Sequence, residues 1–220
     1  MNKQDFIELD LTGFTEEKVF ETTLAEKAKE AGFFDEKTVF KPLVVVAGVG
    51  QVVSGLDEAL LSAKEGVLNS VELTPDKAFG QRNPDLIKLV PSSKFKEQGI
   101  EPRVGLVMNF DGMPGKLISV DSGRIKIDFN SPLAGKTVKY EFTVKKVYST
   151  PAEKLSGLIS NFFAEGITSS LDRDKAIVRV SDSVVKDAGF FDNKLRAIQL
   201  LLQYAEGIKT VEFVEDYSLK

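Results

Sequence analysis

Gly48-Val49-Gly50-Gln51-Val52-Val53-Ser54-Gly55-Leu56-Asp57-Glu58-Ala59-Leu60 is the stretch around which the rest of the chain can be organised. Its first glycines make a turn, and two valines lead on to Ser54 and Asp57. These residues suit a helix start, because their oxygens accept from free first-turn amides and an acid there faces the positive end of the helix dipole. Leu56, Leu60 and Ala63 then fall on one helical face, and the helix ends before Gly66. The glycines at 48, 50 and 55 superficially suggest a phosphate-binding loop. Neither a G-x-G-x-x-G frame nor a G-K-[ST] ending is present, so no nucleotide cofactor is expected.

Upstream, Pro42 introduces Leu43-Val44-Val45-Val46, a β-branched run suited to a sheet. Phe6 to Gly13 alternates apolar and polar residues after Ile7 and reads as a half-buried strand, with Lys18 to Glu21 as its hairpin partner. Thr23-Leu24-Ala25-Glu26 has capping-box spacing for a helix that runs to Ala31 and stops at Gly32. Downstream, Val67 to Leu73 is a strand candidate. Thr74-Pro75-Asp76-Lys77-Ala78-Phe79-Gly80 follows as a proline-initiated turn that presents an aromatic between small residues.

From Pro84 to Phe129, prolines and glycines separate short apolar runs, and Val104 to Phe110, Leu117 to Val120 and Arg124 to Phe129 read as three strands. Thr137 to Tyr148 alternates cleanly, and with no partner nearby it is expected to return to the sheet of residues 1–73, which makes 86–129 an insertion. After Pro151, the spacing of Leu155, Leu158, Ile159, Phe162 and Phe163 predicts a helix. A strand at Ala176 to Val180, a helix at Leu195 to Ala205 and a strand at Thr210 to Val214 complete a small α-β-α-β unit. A unit of that size is either an isolated monomeric domain or one that gains core by homodimerising. Ala31-Gly32-Phe33-Phe34-Asp35 recurs as Ala188-Gly189-Phe190-Phe191-Asp192, read here as a repeated local helix stop.

The chain has 220 residues, 42% of them hydrophobic and 28% charged, which places it with globular proteins and against disordered or fibrous ones. It contains no Cys and no His, which removes disulfides, thiol nucleophiles, Ser-His triads and nearly all zinc sites, so no metal is expected. A carboxylate pair could still act as acid and base or hold Mg²⁺, but the acidic residues are scattered. The net charge of −4, without clustered Arg or Lys, argues against nucleic acid as a partner. Neither a signal segment nor a membrane span is expected, so the protein reads as cytoplasmic.

Several blocks resemble one family in order and spacing: Thr12-Gly13; Val19-Phe20-Glu21-Thr22-Thr23; Gly50 to Leu60; Ala78-Phe79-Gly80; and Leu133-Ala134-Gly135-Lys136-Thr137-Val138-Lys139-Tyr140-Glu141-Phe142. The chain resembles FKBP-type peptidyl-prolyl cis/trans isomerases, in particular the SlyD-like subgroup with an insert in the flap and its long archaeal members with an extra C-terminal domain. The resemblance implies an α+β fold: an FKBP-like twisted antiparallel sheet with a short helix, a small inserted all-β domain, and the C-terminal α-β-α-β domain. The division it implies is 1–85 with 130–150 for the isomerase, 86–129 for the insert and 151–220 for the C-terminal domain.

It also implies a proline pocket formed by Leu11, Phe20, Glu21, Leu43, Val52, Val53, Leu56, Phe79, Leu133 and Tyr140. The sequence departs from the family where Leu11 and Phe79 replace common tyrosines, Glu21 replaces Asp, and Leu56 stands where many members have Trp. The insert would bind unfolded or partly folded clients through Leu86, Ile87, Leu89, Val90, Phe95, Val107, Met108, Phe110 and Met113. The implied function is prolyl isomerisation in protein folding with holdase activity, needing no cofactor. The alternative is a chaperone that holds proline segments with little or no turnover.

Overall fold

The computed structural model describes residues 1–217 apart from 17, 98, 122, 164 and 165. In chain order the elements are β1 (Phe6–Thr15), β2 (Lys18–Thr22), α1 (Ala25–Glu30), β3 (Leu43–Val46), α2 (Ser54–Ser62), β4 (Leu68–Leu73), β5 (Ile87–Pro91), α3 (Ser93–Glu97), β6 (Val107–Phe110), β7 (Met113–Val120), β8 (Arg124–Asp128), β9 (Val138–Tyr148), α4 (Pro151–Phe162), β10 (Ile167–Asp172), β11 (Lys175–Ser181), α5 (Asp182–Val185), α6 (Phe190–Tyr204) and β12 (Thr210–Asp216). They divide into two compact units, Met1–Leu73 with Val138–Lys220, and Thr74–Thr137. No helix among the described residues is long and apolar enough to cross a membrane.

The first unit is built on β1. One edge of β1 pairs along its length with β9, and the other edge is shared by β3 at Phe6–Leu9 and β2 at Thr12–Thr15, while β4 pairs with β9; every pairing is antiparallel. As the alternation of Thr137 to Tyr148 implied, β9 returns to the N-terminal sheet. Register then sets the core. Phe6 lies opposite both Val46 and Tyr148, so the three side chains share one face of the sheet. That face is covered by Leu155, Leu158 and Ile159 of α4, in one continuous core with Val178, Phe190, Ala197 and Leu201. Residues 151–220 therefore share their core with the first sheet.

Helix α4 begins in a reciprocal capping box: the Thr150 hydroxyl accepts from Glu153 N–H, the Glu153 carboxylate accepts from Thr150 N–H, and Pro151 occupies the first turn. The C-terminal sheet runs β10-β11-β12, antiparallel then parallel. Strand β10 and helix α5 extend the expected α-β-α-β order. Ile167 to Asp172 is polar at alternate positions and only half-buried at the others, so its apolar signal is weak. The second Ala-Gly-Phe-Phe-Asp copy opens a helix instead of stopping one: Gly189 caps α6, and Phe190 is buried. The Thr23 capping box also gives way. Thr23 accepts from Leu11 N–H and so extends the β1–β2 pairing, leaving α1 capped at Leu24 without a side chain.

The second unit holds a four-stranded antiparallel sheet in the order β5-β8-β7-β6. It is not all-β, since α3 lays Phe95 into a core with Leu117, Ile125 and Ile127. Where the chain enters and leaves this sheet, Asn83 N–H donates to Asn130 Oδ1 at 2.8 Å and Asn130 Nδ2 donates back to Asn83 O at 3.0 Å. Buried Asp128 accepts from the Asn130 N–H and side chain and pairs with Arg82. Desolvation alone would raise the Asp128 pKa, but the Asn130 and Arg82 contacts outweigh it and hold the carboxyl below its usual value.

Candidate active site

The turn at Gly48 to Gly50 is built around Asp57. Gly48 and Gly50 both have positive φ, 76° and 79°, which only glycine adopts without strain. Their N–H groups donate to the two Asp57 carboxylate oxygens at 2.7 and 2.8 Å. The buried acid thus satisfies two amides of the preceding turn, in place of the first-turn amides that the helix-start reading assigned to it, and α2 is capped at Val53 without a side-chain hydrogen bond. Val52 and Val53 sit half-buried at the entrance to α2, and Leu56 is fully buried beneath them in sequence.

Beside β1 lies a cavity of about 290 Å³ lined by Leu11, Glu21, Thr22, Thr23, Val39, Lys41, Pro42, Leu43 and Asn161. It brings together three of the expected site residues, Leu11, Glu21 and Leu43. Phe20 and Tyr140 pack edge to face next to them, with ring centroids 5.8 Å apart at 83°. The Tyr140 hydroxyl donates to Glu21 Oε1 at 2.5 Å, fixing the carboxylate across the sheet. Burial, and then the neighbouring Glu21 carboxylate, push the Tyr140 pKa far up, so its hydroxyl remains a donor. Gly13 is the register partner of Tyr140, and a Cβ there would stand 2.6 Å from the Phe20 ring. The absence of a side chain at Gly13 is what lets that ring lie flat on β1.

Val52, Val53 and Leu56 are not among the residues lining this cavity. Six others line it that were not expected at the site: Thr22, Thr23, Val39, Lys41, Pro42 and Asn161. Lys41 places its ammonium on the carbonyls of Ser160 and Phe163, at the C-terminal end of α4. Desolvation there lowers its pKa. Asn161 Oδ1 accepts from Val44 N–H at 3.1 Å, and Gln51 accepts from Val46 N–H, so side chains satisfy both outward amides of β3. No local pattern signals Asn161, because its partner is 117 residues away in sequence. Two larger cavities, of about 470 and 650 Å³, lie against the C-terminal helices. They share Leu43 and Asn161, or Val39 and Lys41, with the smaller one. Of these three, only the smaller contains Leu11 and Glu21, and it is the candidate site on that ground.

In the second unit, Phe79 is half-buried on the turn where Gly80 N–H donates to Pro75 O at 2.7 Å. Gly80 O in turn accepts from Gly135 N–H in the loop that carries half-buried Leu133. The insert residues divide by burial. Phe95 is part of the core, and Val90, Met108 and Phe110 pack partly against it, whereas Leu86, Leu89, Val107 and Met113 are exposed by 40–60%. Ile87 is intermediate.

Residues 1–102 match the FKBP-type peptidyl-prolyl cis-trans isomerase family, and residues 88–133 match the family described as FKBP26, IF domain. The short-type peptidyl-prolyl cis-trans isomerase of Methanocaldococcus jannaschii is 29% identical over 153 residues, covering 70% of this chain and 98% of the relative. An FKBP-type 16 kDa peptidyl-prolyl cis-trans isomerase of Escherichia coli is 35% identical over 59% of this chain and 85% of the relative. The SlyD isomerase of Treponema pallidum is 31% identical over 63% and 80%. With relatives of this kind, the chain belongs to the FKBP-type peptidyl-prolyl cis-trans isomerases.

Proposed function

We propose that the cavity beside β1 seats the prolyl ring of a polypeptide substrate, with Leu11 and Leu43 as apolar walls and Phe20, Glu21 and Tyr140 as a rigid flank. The observation that carries this is the convergence of Leu11, Glu21 and Leu43 on one cavity from three separate strands. Rotation about an X-Pro bond is opposed by amide resonance, a barrier of about 18–20 kcal/mol, and breaks no covalent bond. Resonance puts negative charge on the imide oxygen in the planar form and withdraws it in the twisted one. An apolar wall that strips water from the planar form while packing on the twisted form therefore lowers the barrier, at roughly tenfold in rate per 1.4 kcal/mol. A chain without Cys or His is equipped for this chemistry. A peptide isomerisation assay tests the reading: Leu43→Ala should slow catalysis, and an unchanged rate would refute the placement.

The insert is proposed as a holdase. Leu86, Leu89, Val107 and Met113 leave apolar surface open on a small sheet, where Met adapts to varied clients. Weak capture there raises the local concentration of prolyl bonds. Deleting residues 86–129 should abolish suppression of client aggregation while peptide isomerisation persists. A dimer through residues 151–220 is also proposed, since α6 exposes Phe191, Leu195 and Leu202 by 66%, 60% and 47% on one helical face. Sedimentation of the full chain against Leu195→Glu checks it, and an unchanged mass would count against that face.

A further inference from the structure

A proline-bearing segment offers carbonyl acceptors on both sides of a ring nitrogen that has no hydrogen to give, so a site that orients it needs donors. The candidate cavity has five polar side chains along its wall: Glu21, Thr22, Thr23, Lys41 and Asn161. Four are already engaged. Glu21 accepts the Tyr140 hydroxyl, and as a carboxylate it is an acceptor only. The Thr22 hydroxyl lies on Leu11 O and the Thr12 hydroxyl, the Thr23 hydroxyl on Asp10 and Leu11, and the Lys41 ammonium is drawn by two of its three donors onto the last carbonyls of α4.

Asn161 differs. Its amide can be oriented in one way only, because the Val44 N–H is a donor and must meet the oxygen. The Nδ2 group at the other end keeps both hydrogens and donates to none of the described residues. We infer that Asn161, carried on the last turn of α4 in the C-terminal segment, is the hydrogen-bond donor that receives a backbone carbonyl of the bound X-Pro segment. This rests on the placement of the proline site in that cavity. Asn161 then has two tasks, one at each end of its amide: Oδ1 holds the β3 wall in place and Nδ2 meets the substrate. The C-terminal segment thereby becomes part of the isomerase site.

Asn161→Asp separates the two tasks in the full-length protein. It keeps an oxygen for Val44 N–H and replaces the donor by an oxygen that repels a carbonyl. The expected result is a roughly three- to tenfold loss in kcat/KM on a short Ala-Pro peptide, the scale of one lost hydrogen bond, with an unchanged unfolding midpoint. In the wild-type protein, titration with the same peptide should shift the Asn161 side-chain amide resonances together with the backbone amides of Leu11, Glu21 and Leu43. If those backbone amides shift while the Asn161 amide stays still and the Asp variant keeps its rate, the donor assignment is wrong and the site placement stands. If none of them shifts, the placement itself fails and the inference falls with it.

Discussion

Gly13 faces the Phe20 ring at a distance that no added methyl tolerates, since a Cβ would lie 2.6 Å from Cζ. Gly13→Ala should push the ring off the strand and cost about 1–3 kcal/mol in denaturant unfolding, the range for overpacking, together with slower peptide isomerisation. The Thr12-Gly13 pair was visible as part of a family pattern, but the reason for the glycine was not. Phe20 comes from the next strand, and only the β1–β2 pairing lays it across Gly13. Tyr140 and Glu21 show the same limit: each was expected at the site, yet their 2.5 Å hydrogen bond spans 119 residues. Tyr140→Phe leaves the Glu21 carboxylate without that donor, and a loss of about 1 kcal/mol in unfolding free energy is expected.

Helix α2 and the turn before it were legible because their information is local: glycines where φ is positive, an acid in the first turn, and leucines at helical spacing. What the spacing hid is that Asp57 binds two amides of the preceding turn. Asp57→Ala should therefore cost more than a lost helix-dipole contact, about 2–4 kcal/mol for two charge-assisted hydrogen bonds, as read by chemical denaturation. Helix α4 carries a pH signature. The contact with Lys146, followed by the N–H groups of Thr150 and Ser149, holds the Glu153 carboxyl at about 2 against a usual 4.5. A depressed folded pKa contributes stability above the unfolded value and loses it on acidification, so this contribution should fade as pH drops from 4.5 towards 2. Over that window Glu153→Gln should show a shallower fall in thermal midpoint than the wild type. Elements with weak apolar alternation escaped notice. Strands β5 and β10 and helix α3 are short or polar on one side, and their tertiary partners stabilise them more than their own pattern does.

At the scale of the whole molecule, residues 151–220 read in the sequence as a separate unit, because Pro151 and a fresh helical pattern follow a finished strand. The register of β1, β3 and β9 overrides that local signal by presenting Phe6, Val46 and Tyr148 together to α4. A chain cut after Thr150 would expose those side chains, along with Val44, to water. At about 25 cal/mol per Å² of apolar surface, its unfolding midpoint should fall well below that of the full chain, as differential scanning calorimetry would register. The same helix carries Asn161 to the site and receives Lys41 from it, so catalysis should decline with the truncation as well. The most direct check on the isomerase site lies in Leu43, which lines the cavity half-buried on an edge strand. In a coupled assay on an X-Pro peptide, Leu43→Arg should lower kcat/KM by roughly tenfold or more, with the folded state retained by circular dichroism. Full activity in a folded Leu43→Arg protein would place the prolyl bond elsewhere and contradict this reading of the molecule.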